Sequence, residues 1–271
     1  MFEKVFNVRF SYCGNVWEAD FTAIGSVLDW ACPRPSGLRR NLSFLYHLLL
    51  RRYKFSTLTA LGSGFNKWEE NQKIKFARKI DFKIVRGKHT ENYLRKNNIL
   101  KGEVKLGDFG LLIPYMIDAR ITKKYKLGVI PHYSDLNSPV VYDFYKKHAP
   151  NCVIINVQDD VWKIIRQIAS CELIASSSLH GLIAADAFGI PNIWFENRLK
   201  YGGEWRFKYL DYYSIYGIEN MKPFELIEML DEDLSFIKLN YKIDYETVKK
   251  KQRELYNWGK IYFENLGCSK T

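Results

Sequence analysis

Between residues 127 and 196, apolar runs of strand length alternate with segments of helical periodicity, and this alternation constrains the fold more than anything else in the chain. The runs at 127–131, 153–157 and 192–195 are too short for globular helices. Helices are predicted between them at 140–148 and 160–170. The second has Asp159 or Asp160 as its cap and Val161, Ile164, Ile165 and Ile168 on its apolar face. Such spacing predicts a parallel sheet with right-handed crossovers. The first half repeats the pattern more weakly, with strands predicted at 20–24, 57–61 and 82–85. A helix is expected from Thr90, as N-cap, to about Asn97. A long helix is expected over 244–265, ending near Gly267. Two α/β halves follow, with the crossing between them placed at 114–126.

Residues 171–196, C-E-L-I-A-S-S-S-L-H-G-L-I-A-A-D-A-F-G-I-P-N-I-W-F-E, carry the chemistry most directly. They read as a buried strand, a turn, a short helix stopped by Gly189 and Pro191, and a further strand. Ser176, Ser177 and Ser178 offer hydroxyls and backbone N–H groups where the helix begins, and His180 lies in its first turn. Such a turn belongs at the carboxyl edge of a parallel sheet, where open α/β proteins bind ligands. Its dipole and N–H groups suit an anion, and imidazole exchanges protons near neutrality.

Composition narrows the class. The chain has 271 residues, 47% of them hydrophobic and 15% aromatic, which argues for a folded protein with a large core. Its apolar runs are too short to span a bilayer, and the first ten residues show no signal-peptide pattern. Five scattered cysteines without C-x-x-C spacing give neither a disulfide framework nor a zinc site, so a cytoplasmic location and no metal are expected. The net charge of +11 suits anionic substrates or surfaces, but no nucleic-acid-binding signature accompanies it. Arg34, Arg39, Arg40, Arg51, Arg52 and Lys54 flank an apolar stretch that suits domain packing or peripheral contact with an anionic membrane at its inner face.

The ordered motifs resemble those of the polysaccharide pyruvyl transferase family. They are A-I-G-S (23–26), L-G-S-G-F (61–65), D-F-K-I-V-R-G (81–87), L-G-D-F-G-L-L (106–112), K-K-Y-K-L-G-V-I-P-H-Y (123–133) and the 171–196 stretch. The resemblance covers about residues 19–217. It implies two Rossmann-like domains of the glycosyltransferase-B type, at 1–118 and 119–240, with a carboxy-terminal helix at 241–271 packing back across them. It also implies transfer of pyruvate from phosphoenolpyruvate to a sugar of a polysaccharide precursor, as a cyclic ketal. The partners expected are phosphoenolpyruvate as co-substrate, with no cofactor, and a nucleotide- or lipid-linked glycan acceptor. The alternatives are a glycosyltransferase of the same architecture in surface polysaccharide synthesis, and a catalytically degenerate glycan-binding relative.

Such a transfer needs an acid for the methylene carbon and cations for phosphate and carboxylate. His180 is the expected acid/base. Arg86, at the end of an apolar strand, is the arginine that the resemblance makes a donor ligand, a role suited to a bidentate guanidinium. The alternative for it is a surface ion pair with Asp81 or Glu91. Donor binding is further assigned to Ser176, Ser177, Ser178, Leu179, Gly181 and His132. Acceptor binding is assigned to Gly62, Ser63 and Gly64, for which a plain turn is the alternative, to Asp108, for which capping of the following segment is the alternative, and to Lys200 and Arg206. The aromatic-rich loop predicted at 201–213 makes either a sugar-stacking floor or a loop core.

Two departures from the family pattern stand out. Ser178 occupies the place where many relatives carry arginine, leaving Arg206 or Lys208 as compensating cations. The N-x-G-D-like turn that often precedes A-I-G-S is not found, so the amino-terminal domain is either complete without it or lacks its first strand and turn.

Overall fold

The computed structural model describes residues 1–13, 18–31, 56–67, 74, 76, 78–117, 121–197 and 203–267. Along the chain come α1 (Phe2–Phe6), β1 (Phe21–Gly25), α2 (Leu28–Ala31), β2 (Leu58–Ser63), β3 (Ile80–Val85), α3 (Lys88–Lys96) and β4 (Lys105–Leu106). A 3-10 segment at Phe109–Met116 leads to β5 (Tyr125–Ile130), α4 (Pro139–His148), β6 (Cys152–Ile154) and α5 (Val161–Ala169). Then follow β7 (Cys171–Ser176), α6 (Leu179–Ala187), β8 (Asn192–Glu196), α7 (Phe207–Tyr213), β9 (Phe224–Glu225), α8 (Ser235–Asn240) and α9 (Tyr245–Asn265). The chain is α/β with two wholly parallel sheets, ordered β1-β2-β3-β4 and β6-β5-β7-β8-β9. Among the described residues no helix is long and apolar enough to cross a membrane. The basic cluster at 34–54 lies outside the described residues.

Two compact units contain the sheets. The first sheet belongs to Phe10–Phe109 together with Tyr201–Asn220, and the second to Met1–Arg9, Gly110–Lys200 and Met221–Thr271. The second sheet is buried on both faces, which explains why its strands read as nearly continuous apolar runs. Leu127, Val129, Leu173, Ala175, Ile193 and Phe195 point into a core shared with α4 and α8. Ile130 and Ile174 point into the opposite core, with Ile168, Ala184 and Ile190. In the first unit Ala60, Phe82, Val85, Leu94 and Phe207 form the core.

Helix α5 begins after Asp160, whose carboxylate accepts from the Trp162 and Lys163 N–H groups. Its apolar face is narrower than predicted, because Val161 is exposed while Ile165 and Ile168 are buried. Helix α9 is capped by Asp244, which accepts from the Thr247 N–H. It packs on its own unit through Gln252, whose amide donates to the Leu111 and Ala187 carbonyls. Helix α3 starts earlier than predicted: its N-cap is Gly87, and Thr90 lies inside the first turn. Residues 207–213, expected as loop, form α7 with Tyr209, Tyr212 and Tyr213 buried. Those rings are core, so of the two readings of this segment they follow packing.

Candidate functional site

In the second unit β5 and β7 pair with Ile130 opposite Ser176, so the chain leaves both strands side by side at the carboxyl edge. There the serine turn is fastened to the neighbouring strand. Ser176 is fully buried, and its hydroxyl lies 3.2 Å from the Ile130 carbonyl and 3.0 Å from that of Ser178. The Ser178 N–H donates back to the Ser176 hydroxyl at 3.0 Å. The Ser177 hydroxyl accepts from the His132 N–H at 2.8 Å, and the Ser177 N–H donates to the Ile130 carbonyl. The hydroxyls of Ser176 and Ser177 thus build the turn and draw His132 beside it. His132 in turn places its Nδ1 2.9 Å from the Ser134 hydroxyl.

Helix α6 follows directly, with Ser178 at its N-cap and no hydrogen bond from the Ser178 side chain to the first N–H groups of the helix. Leu179 is buried as an anchor, whereas His180 is exposed. Gly181 is required by close packing. A Cβ there would stand 2.4 Å from the Ser176 hydroxyl oxygen and 3.1 Å from the Ile130 Cδ1. The helix N-terminus therefore lies tight against the strand end, with its backbone donors and the His180 imidazole at the edge.

The carboxyl edge of the first sheet is built differently. Arg86 leaves β3 with a side chain 0% exposed, ion-paired through Nε to the equally buried Asp211 at 2.9 Å. Its remaining nitrogens donate to the Ser26 hydroxyl at 2.6 Å and the Phe65 carbonyl at 2.5 Å. The partner is thus neither Asp81, which pairs with Lys83, nor Glu91, which pairs with Arg95. Asp211 also caps α3, accepting from the Thr90 N–H at 2.8 Å and the Thr90 hydroxyl at 2.7 Å. Ser214 completes that cap by accepting from the Lys88 N–H. A ligand anion reaches this guanidinium and this helix end only by displacing a carboxylate already there.

The surrounding glycines follow from this knot. A Cβ on Gly64 would lie 2.6 Å from the guanidinium carbon of Arg86, and one on Gly87 would lie 1.7 Å from the Asp211 carbonyl oxygen. Ser63 is fully buried, its hydroxyl 3.4 Å from that of Thr22, and its carbonyl accepts from the Arg86 N–H. Gly62 lies beside Phe109, and Asp108 is fully buried. The backbone at Ile24 takes φ 55°, a left-handed conformation rare for a β-branched residue, just before Ser26 turns toward Arg86.

Of the predicted site residues, the second unit brings together His132, Ser176, Ser177, Ser178, Leu179, His180 and Gly181. The first unit gathers Gly62, Ser63, Gly64 and Arg86, with Asp108 one strand away. Arg206 is exposed in the segment before α7, and Lys200 lies outside the described residues. Two residues, Asp211 and His89, escaped the sequence reading as site candidates, whereas Lys208 was named there as a compensating cation. Asp211 had no local signal, because it is 125 positions from Arg86. Lys208 packs over the Tyr209 ring at 5.2 Å. Burial, and then the nearby Arg86 charge, push its pKa down to about 8. His89, in the first turn of α3, has a buried Nε2 without a hydrogen-bond partner among the described residues. Burial also pushes the Cys152 and Cys171 thiols up to about 12, which makes them inert. Among the described residues no cluster of three or more His, Cys, Asp or Glu is arranged to hold a metal.

Residues 30–198 match the family model described as "Polysaccharide pyruvyl transferase", which is more than half of the chain. The chain belongs to the polysaccharide pyruvyl transferase family. It is also similar to "Uncharacterized protein L143" of Acanthamoeba polyphaga mimivirus, at 33% identity over 157 residues. That match covers 56% of this chain and 54% of the viral protein, so the chain spans about half the length of this curated relative. The family match takes in Arg86 and the complete serine turn with His180, whereas Ser26 and Asp211, which hold the Arg86 guanidinium, lie outside it.

Proposed function

We propose that this member of the family transfers pyruvate from phosphoenolpyruvate to two hydroxyls of a sugar in a polysaccharide precursor, giving a cyclic ketal. One observation carries the reading: an exposed histidine in the first turn of a helix whose N-cap serine makes no side-chain capping bond, at the carboxyl edge of a parallel sheet. Backbone N–H groups at that helix end hold donor phosphate or carboxylate, and the imidazolium of His180 protonates the methylene carbon. The adjacent carbon becomes cationic, and a sugar hydroxyl adds to it, its proton returning to the imidazole. The carbon–oxygen bond to phosphate then breaks, and a second hydroxyl closes the ketal on the cationic carbon, its proton passing to the departing phosphate. Phosphoenolpyruvate is the co-substrate and no cofactor takes part. The acceptor is a nucleotide- or lipid-linked glycan, met in the cytoplasm or at the inner membrane face. The two sheets belong to Rossmann-like domains of the glycosyltransferase-B type.

Release of inorganic phosphate from phosphoenolpyruvate, measured with and without candidate glycan acceptors, tests this. Acceptor-dependent release is expected. His180→Ala, at an exposed position, folds as the parent does and loses about 10²- to 10⁴-fold in turnover. Full turnover by the folded variant refutes the assignment.

A further inference from the structure

A groove of about 860 Å³ runs along helix α5 in the second unit, within the size range of small-molecule sites. Its walls are Trp162, Arg166 and Ser170, spaced by four on one helix face, and a facing segment that includes Ile121, Lys124 and Tyr125. Lys4 adds a third cation. Among the described residues none of Lys4, Lys124 and Arg166 has a carboxylate partner. The one acidic residue in the lining, Asp160, already accepts from two N–H groups at the start of α5. Gln167 also lines the groove, and its buried Oε1 has no hydrogen-bond partner among the described residues.

The groove is not part of the serine turn. Tyr125 opens β5 and Ser170 immediately precedes β7, whereas the turn follows the far ends of those strands. Five residue steps along β5 separate the two edges by about 17 Å.

We propose that this groove binds a nucleoside diphosphate. Three cations without carboxylate partners call for at least two negative charges, and guanidinium and ammonium groups recognise phosphate oxygens. The Trp162 ring offers a face on which a base stacks. The lone Gln167 oxygen demands an N–H donor, which a nucleobase supplies and an isoprenoid chain does not. That last requirement separates a nucleotide from a lipid diphosphate, although Met116, Ile117 and Ile121 would also suit a hydrocarbon.

Isothermal titration of the full chain with uridine diphosphate, adenosine diphosphate, inorganic pyrophosphate and geranyl diphosphate tests the proposal. At least one nucleoside diphosphate is expected to bind ten times more tightly than pyrophosphate. Arg166→Ala and Lys124→Ala, both at exposed side chains, each weaken it about tenfold or more. Gln167→Met removes the preference over pyrophosphate. Nucleotide binding that both charge variants leave unchanged places the ligand elsewhere and overturns the proposal. So does geranyl diphosphate binding more tightly than either nucleotide, equal affinity for pyrophosphate, or no binding by any probe. All these measurements are made without phosphoenolpyruvate or acceptor, so they stand apart from the outcome of the transfer assay.

Discussion

Replacing Asp211 by alanine leaves the Arg86 guanidinium, 0% exposed, without its counter-charge. Removing one partner of a buried pair costs about 3–5 kcal/mol, because the remaining charge cannot reach water. The same substitution removes the acceptor for the Thr90 N–H at the start of α3, about 1 kcal/mol more. Against a total stability of about 5–15 kcal/mol, this is a large share. Urea titration combined with hydrogen exchange at β3 and α3 amides reads the loss in this unit alone. Arg86→Met with Asp211→Leu replaces the ion pair by apolar groups of similar volume, and should recover most of the loss. Asp211→Ala within about 1 kcal/mol of the parent would refute the reasoning, as would a double variant as unstable as the two single losses combined. The double variant also separates two roles for Arg86. An unchanged KM for phosphoenolpyruvate assigns it to architecture, whereas a large rise with intact folding assigns it to the donor.

Gly87→Ala places a Cβ 1.7 Å from the Asp211 carbonyl oxygen, so a loss of about 3 kcal/mol or more in urea unfolding is expected, and a neutral result would contradict the packing. Lys208 titrates near 8 in the fold and near 10.5 when unfolded, so the unfolded state binds more protons between those values and stability rises with pH there. Lys208→Met should therefore be more stable than the parent below pH 8, with the gap in melting temperature closing toward pH 10.5; a gap independent of pH counts against a buried charged amine. Iodoacetamide at pH 8 should label exposed Cys13 and spare Cys152 and Cys171 in the native protein, as read by peptide mass spectrometry.

The second sheet was legible from sequence because its strands are buried on both faces and its helices carry local caps, Asp160 before α5 and Asp244 before α9. The serine turn was legible for the same reason: strand, turn and helix are contiguous, and the strand end that receives them differs only in detail. The first unit was harder wherever a distant residue supplies what a local one was expected to supply. Thr90 read as a cap because it is a hydroxyl residue before a helical run, yet Asp211 caps α3 and leaves Thr90 inside the helix. The segment at 207–213 read as loop because its aromatic residues lack a clean period, yet burial against β3 and α3 orders it as α7. The motifs A-I-G-S, L-G-S-G-F and V-R-G carry the same lesson. Each closes a different strand: Ser26 and Phe65 give acceptors to Arg86, Gly64 makes room for its guanidinium, and Gly87 makes room for its partner Asp211. Their residue types suggest an open phosphate cradle when read one at a time. Once Asp211 is included, the same types are what a buried guanidinium requires: hydroxyl and carbonyl acceptors, a carboxylate, and no Cβ in the way. A motif therefore locates the constraint, and the partner it answers to decides whether that constraint is architecture or ligand.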